Sequence, residues 1–268
     1  PRDAAQPASG AVQSLAPSVA AAASRFDKRN PFPATVIENL VLTGRGSSKE
    51  TRHVEFSLAG SGLTYSPGDA LGVMPRNDAA LVETMLAQTG LSGETLVAHK
   101  DGELALAEAL ASQFEIMAAT PRFLESWARL SGAAELARLA ASENAAERNA
   151  FLHRHHVIDI LRAFPVPGVS ADDFLAGLRP LQPRLYSIAS SQAAAEEDVH
   201  LTVATVRYEL HGEPRAGVAS GHIAAHAPPD TILPVYVQAN PHFRLPADDA
   251  PIIMIGAGTG VAPYRAFL

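Results

Sequence analysis

The sequence predicts an α+β fold built from antiparallel strands with a helical block set between them. Two changes of period carry that expectation. Apolar residues alternate with period two before about residue 75 and after about residue 180, as half-buried strands require. Between these limits they recur roughly every three and a half residues, the mark of helices with one buried face. Pro-Gly and Gly-Ser clusters punctuate both regions where turns are needed.

Residues 1–31 open the chain, and the first two dozen or so are rich in Ala, Ser, Pro and Gln with little to bury. They read as a flexible linker. A cleaved targeting peptide is the alternative, but a basic start followed by a compact apolar region is missing. Ala34–Thr43 is β-rich, and Arg52–Leu58 places Val54, Phe56 and Leu58 on one face. Gly44–Ser48 supplies the turn between them. Pro67-Gly68 suits a tight turn in which proline presets its dihedral and glycine takes the positive one. Ala70–Met74 fits a further strand, so the first third reads as the opening of an antiparallel barrel.

Residues 75–179 carry the helices. Asn77-Asp78 can cap a helix bearing Leu81, Val82, Met85 and Leu86, with Gly90 at its end. Leu104–Leu110, Phe123–Leu130, Ala133–Ala140 and His156–Phe164 repeat the pattern, and Pro165–Gly168 stops the last of them. His153, His155 and His156 form a histidine cluster in which His153 and His156 would share a helix face. No carboxylate or cysteine completes a ligand set beside them, so a surface cluster is expected and no metal. Trp127 lies on the apolar face of Phe123, Leu124 and Leu130 and is assigned to the core.

After the helices comes Arg184-Leu185-Tyr186-Ser187. In a strand, Arg184 and Tyr186 share one side while Leu185 and Ser187 share the other. A planar guanidinium fork, an aromatic surface and a hydroxyl in close succession suit a flat cofactor that carries phosphate. A half-buried strand starting with a surface arginine fits the same residues. The alternating stretch Val199–Tyr208 is a second strand, and Ala216–Ala224 follows with Gly217, Val218, Ala219 and Ser220 at a helix start. Ser220 is suited to N-cap that helix, and its free N–H groups would make an anion site. An ordinary capped helix is the competing reading. Phe243–Pro246 is expected to close the barrel and Pro251–Ile255 to form a buried parallel-type strand. That strand runs into the glycine-rich turn Gly256–Gly260, a phosphate-binding device that is weak evidence when taken alone.

Composition narrows the functional classes. At 268 residues and 47% hydrophobic, the chain can bury a substantial core in one or two domains. A net charge of -7 argues against a nucleic-acid partner. The chain contains no cysteine, which excludes disulfides and thiolate metal sites and is compatible with the expected cytoplasmic location. No apolar run is long enough to span a bilayer.

The ordered set RLYSIASS, HLTVATVRY, AGVASGHIA, NPHFRLP and MIGAGTGVAPYRAFL, with YSPGDALGV upstream, resembles the FAD-binding portion of the ferredoxin–NADP reductase superfamily. Within it the sequence is most similar to the diflavin reductases, above all the sulfite reductase flavoprotein alpha subunits. The resemblance implies an FAD-binding β-barrel over residues 32–74 and 180–247, interrupted by a helical connecting insertion at 75–179. It also implies the first βα step of a truncated NADP-binding domain at 248–268.

By the same resemblance, Arg184 would bond the FAD pyrophosphate, Tyr186 would stack on the isoalloxazine, and Ser187 would approach N5 as the catalytic contact. Leu185 lies within the same binding motif. Thr202, Val203 and Ala204 would touch the ring edge through backbone, and Tyr208 would lie along the phosphate or adenine side. Gly217, Val218, Ala219 and Ser220 would cradle the pyrophosphate, although the family often has glycine at the position of Val218 and serine at that of Gly221. Gly258, Thr259 and Gly260 would belong to an incomplete NADPH site. The resemblance further implies electron flow from NADPH to FAD, to FMN on a flavodoxin-like domain, and on to a hemoprotein, foremost the sulfite reductase beta subunit. A diflavin reductase for another heme acceptor and a non-catalytic docking module are the alternatives.

Overall fold

The computed structural model describes residues 25–100, 102–246 and 249–268. Residues 1–24 of the expected linker lie outside the described residues. The strands in chain order are β1 (Phe32–Val41), β2 (Glu50–Ser57), β3 (Ala70–Val73), β4 (Leu96–His99), β5 (Gly102–Ala105), β6 (Phe114–Glu115) and β7 (Arg179–Pro180), followed by β8 (Arg184–Ser187), β9 (Asp198–Thr205), β10 (Arg207–Leu210), β11 (Glu213–Ala216) and β12 (Ile232–Gln238). The helices are α1 (Ala79–Thr89), α2 (Leu106–Ser112), α3 (Pro121–Ser131), α4 (Ala134–Ala140), α5 (Ala145–Arg154), α6 (Val157–Ala163), α7 (Ala171–Gly177), α8 (Gln192–Ala195), α9 (Val218–His226) and α10 (Ala262–Phe267).

The main sheet has six strands in the order β8-β3-β12-β1-β2-β9, and every neighbouring pair is antiparallel. Alternation sends Ala34, Val36, Val54, Phe56, Leu71, Val73, Val199, Leu201, Val203 and Val235 to one side, where they form a buried core. The two end strands approach each other through a single bridge, Ile188 to Leu201, and one hydrogen bond from Ala189 N–H to the His200 carbonyl at 2.8 Å. The expectation of a barrel is therefore corrected to an antiparallel sheet with its ends touching. A continuous closing ladder is absent among the described residues. Phe243–Pro246 adds no strand to it.

A second core lies among the helices and includes Met85, Leu106, Leu110, Phe123, Leu124, Trp127, Leu136, Ile158 and Phe174. Trp127 is 2% exposed, stacks on Phe123 with ring centroids 5.7 Å apart, and donates its indole N–H to the Phe164 carbonyl at 2.8 Å. Caps fix the helix starts: Asp78 accepts from Leu81 N–H at 3.1 Å, and Thr120 accepts from Phe123 N–H at 3.1 Å ahead of Pro121. Gly90 ends α1 in the left-handed conformation at φ 71°, as its position predicts.

Polar contacts join the two cores. Arg215 pairs with Asp159 at 2.8 Å, Arg162 with Glu213 at 2.9 Å, and the Tyr208 hydroxyl meets His156 Nε2 at 2.8 Å. These pairs put the β10–β11 hairpin against the start of α6, which forms one wall of the site described below.

Three further expectations are corrected. His153 lies in the last turn of α5 and His156 precedes α6, with His155 extended between them, so the two do not share a helix. Leu104 lies in β5, and α2 starts only at Leu106. Pro251–Ile255 forms no strand: Ile253 is 90% and Ile255 82% exposed. A parallel strand is held by neighbours on its edges, and this segment has no ladder partner among the described residues.

Candidate functional site

The site is built where β8, the β9–β10 junction and the start of α9 converge with residues 115–118 and His156. Strand β8 pairs along its length with β3, which anchors Arg184 opposite Val73 and Tyr186 opposite Leu71. Its alternation sends Arg184 and Tyr186 inward and leaves Leu185 and Ser187 exposed. The turn before β3 is fixed by Asp69, whose carboxylate accepts from the Ser66 and Asn240 N–H groups at 2.8 Å each and pairs with Arg244 at 2.5 Å.

A cavity of 320 Å³ is lined by Arg184, Leu185, Tyr186, Ala204, Tyr208, Gly217, Val218, Ala219 and Ser220. Nine of the residues expected to bind a cofactor thus share one surface. Three others are placed elsewhere. Ser187 and Thr202 do not line the cavity, and Val203 is fully buried in the sheet core. Strand β9 ends the sheet, so the backbone groups of Thr202–Ala204 not used in its ladder with β2 face outward. Gly258, Thr259 and Gly260 form a short 3-10 turn away from this cavity.

The helix start differs in detail from expectation. Gly217, not Ser220, is the N-cap, and Ser220 occupies the third helical position. The Ser220 hydroxyl is turned back to accept the Val206 N–H at 3.1 Å. Gly217 N–H donates to the Val206 carbonyl at 3.0 Å, and a Cβ on Gly217 would lie 2.8 Å from Ser220 Oγ and 3.1 Å from Val206 Cβ. The hydroxyl therefore fastens the loop rather than capping the helix. The N–H groups of Val218, Ala219 and Ser220 are left as the first-turn donors that helix geometry leaves unpaired. No acidic side chain occupies that first turn to compete for them.

Charge and protonation complete the picture. Burial pushes the Tyr186 phenol up to about 12, against a smaller opposing pull from Arg184, so it is a neutral stacking surface. Burial also raises the Tyr208 hydroxyl and lowers His156, which Asp159 pulls back the other way. The Tyr208–His156 pair is thus neutral to neutral. His156 Nδ1 and Arg215 Nε are buried polar atoms without a hydrogen-bond partner. Arg184 donates through one NH group to the Gln182 carbonyl at 3.1 Å and faces Glu115 through the other at 3.6 Å.

This set suits an elongated ligand with a flat aromatic part and a central anionic group: a ring surface at Tyr186, a guanidinium at Arg184 and oriented amides at Val218–Ser220. A second cleft of 530 Å³ continues from it past Met117, Tyr208, Gly217 and Val218, lined further on by Arg76, Arg162, Arg207, Arg215, Glu213 and His222. Residues Glu115, Met117 and Ala118 of the wall carry no sequence signal, and His156 reads only as one of a surface histidine cluster, because only the folded chain brings them to β8.

The sequence also gave no warning of His53, Glu55 and His200, which gather on neighbouring strands β2 and β9. Glu55 Oε1 lies 2.7 Å from His53 Nε2 and 3.5 Å from His200 Nε2. The set has ligand types suited to a metal. The guanidinium of Arg265 stands 3.4 Å from His200 Nδ1, the ring nitrogen turned away from Glu55, and donates to the Ala189 carbonyl at 2.6 Å, which ties α10 to the sheet.

His222 yields a pH prediction. Burial, with help from the His226 and Arg76 charges, pushes it down to about 4, and its Nδ1 accepts the Arg76 N–H at 3.3 Å. A depressed histidine binds fewer protons folded than unfolded, so its contribution is full above the unfolded value near 6.5 and is lost as pH falls toward 4. Thermal melting between pH 7 and 4 is expected to show a falling midpoint, with a shallower fall in His222→Gln. Equal slopes would remove His222 from this account.

Comparison with known proteins gives the site its context. The family described as FAD binding domain matches residues 24–222. The chain is 48% identical over 262 residues to the sulfite reductase [NADPH] flavoprotein alpha-component of Bacillus subtilis, covering 95% of this chain and 43% of that protein. It is 44% identical to the protein of the same name from Zymomonas mobilis, over 96% of this chain and 42% of the relative. The Vibrio vulnificus protein of that name is 43% identical over 96% of this chain and 41% of its own length. The chain therefore spans about two fifths of the length of these relatives. No helix among the described residues is long and apolar enough to cross a membrane.

Proposed function

Because the chain belongs to the FAD binding domain family, we propose that the cavity beside β8 is its FAD site and that the chain is the FAD-carrying part of an NADPH-dependent diflavin reductase. Bound FAD would supply the redox chemistry, accepting hydride from NADPH and releasing electrons by way of FMN to a hemoprotein, with the sulfite reductase beta subunit foremost. NADPH, the FMN-bearing flavodoxin-like domain and the hemoprotein enter this proposal through the likeness to the flavoprotein alpha-components.

The observation that carries the proposal is the convergence of Arg184, Tyr186 and the first turn of α9 on one cavity. Arg184 and the Val218–Ser220 amides would hold the diphosphate, since a guanidinium and oriented N–H groups together match its charge and geometry. Tyr186 would support one face of the isoalloxazine, and Tyr208 would guide the adenosine end into the adjoining cleft. Ser187 is exposed and one residue beyond Tyr186, so its proposed approach to N5 is from the strand edge. Gly258, Thr259 and Gly260 are proposed to contribute to an NADPH site. The helices at 75–179 are proposed as a connecting insertion that sets the FMN domain against FAD, with residues 32–74 and 180–247 as the FAD-binding unit. Residues 248–268 would begin the NADP-binding domain.

Titrating the 268-residue chain with FAD and following quenching of flavin fluorescence tests the reading. Saturation at one FAD per chain is expected. Failure of a folded sample to bind FAD would refute the proposed site.

A further inference from the structure

We infer that Glu115 is a positioning residue for Arg184, reaching the cofactor phosphate only through that guanidinium. The inference rests on the reading of the cavity as an FAD site. Glu115 belongs to the two-residue strand β6, directly opposite Arg179 of β7. It is 2% exposed, and a carboxylate so buried persists only where cations and N–H donors surround it. Its two oxygens divide that work. Oε1 accepts from the Met117 and Ala118 N–H groups at 3.0 and 3.3 Å, which fixes the carboxylate plane and shapes the loop along the cavity wall. Oε2 faces Arg179 at 3.5 Å and Arg184 at 3.6 Å.

Arg184 is therefore held from two directions, by the Gln182 carbonyl on one NH group and by Glu115 on the other. A guanidinium has five N–H donors in a rigid fork, so fixing it in this way leaves the remaining donors aimed rather than free to wander. An arginine side chain otherwise gives up much of its rotamer freedom when a ligand immobilises it. Glu115 imposes that order before the ligand arrives.

Two effects of the carboxylate oppose each other. It orders Arg184, which favours an anion, and it adds a negative charge near the anion, which disfavours one. Two arginines share this single carboxylate, so the three groups together keep a net positive charge, with Arg184 the one that lines the cavity. Ordering is then the larger effect, and the sign of the Glu115→Gln change tells the two apart.

The test is a double-mutant cycle on FAD affinity in the full 268-residue chain, using wild type, Glu115→Gln, Arg184→Ala and the double variant. Glutamine keeps an acceptor for the Met117 and Ala118 amides while removing the charge. Glu115→Gln is expected to weaken FAD binding about 5- to 10-fold, the scale of one misaligned charge-assisted hydrogen bond. In the Arg184→Ala background the same change is expected to have less than about a twofold effect, because the residue it acts through is gone. Tighter or unchanged binding in Glu115→Gln, or equal losses in both backgrounds, would overturn the positioning role while leaving the FAD site standing. Absence of FAD binding by folded wild type would overturn both. If Glu115→Gln does not fold, Glu115→Asp retains the charge one methylene farther from Arg184 and is read on the same cycle.

Discussion

Arg184→Ala is expected to weaken FAD binding by about 10- to 100-fold, the equivalent of a hydrogen bond to a charged group worth about 1.5–3 kcal/mol. The arginine is inward-facing on β8, is held by Gln182 and Glu115, and lines the cavity with the first turn of α9. The amides of that turn remain in the variant, so binding is reduced rather than abolished. Arg138→Ala is the control, because that arginine is paired with Glu147 on an exposed helical surface and should leave FAD affinity within about twofold. Isothermal titration or fluorescence quenching reads both variants. An Arg184→Ala affinity equal to wild type would remove the guanidinium from the site.

The largest effect on stability is expected at Gly68. Its φ of 99° lies where L side chains are strained, and a Cβ there would meet the Phe243 carbonyl oxygen at 1.9 Å. Backbone cannot swing aside as a side chain can, so Gly68→Ala must displace the turn that leads into β3 or the segment at Phe243. Asp69, next in the chain, accepts from Asn240 and pairs with Arg244, so the same movement strains a half-buried ion pair. A loss of about 2–4 kcal/mol is expected. Gly46→Ala separates the two causes, since Gly46 has φ 84° with nothing within 4 Å of a Cβ. That variant should lose only about 1–2 kcal/mol from conformation. Equal losses in the two variants would show that the Phe243 contact is not restrictive.

Local rules made much of this chain readable. The alternation of Arg184 and Tyr186, the Pro67-Gly68 turn with its positive φ, and the Asp78 and Gly90 ends of α1 each depend on a few neighbouring residues, and each stands in the structure as read. What escaped depends on distant partners. Helix α5 has no buried residue and so shows no apolar period. Ser220 has the chemistry of an N-cap, but the Val206 backbone, 14 residues earlier, claims its hydroxyl. Glu115 and His156 look like ordinary polar positions until the fold carries them to β8. The trio of His53, Glu55 and His200 exists only through the register of β2 with β9. Pro251–Ile255 shows the converse, an apolar run with strand character that has no ladder to join among the described residues.

A crystal structure of the chain with bound FAD is the most direct test of the central claim. The account predicts the diphosphate at hydrogen-bond distance, about 2.7–2.9 Å, from the Arg184 guanidinium. It also predicts that the Val218–Ser220 amides donate to the same group and that the isoalloxazine lies against Tyr186. FAD bound away from β8, or a diphosphate held without Arg184 and the first turn of α9, would contradict it.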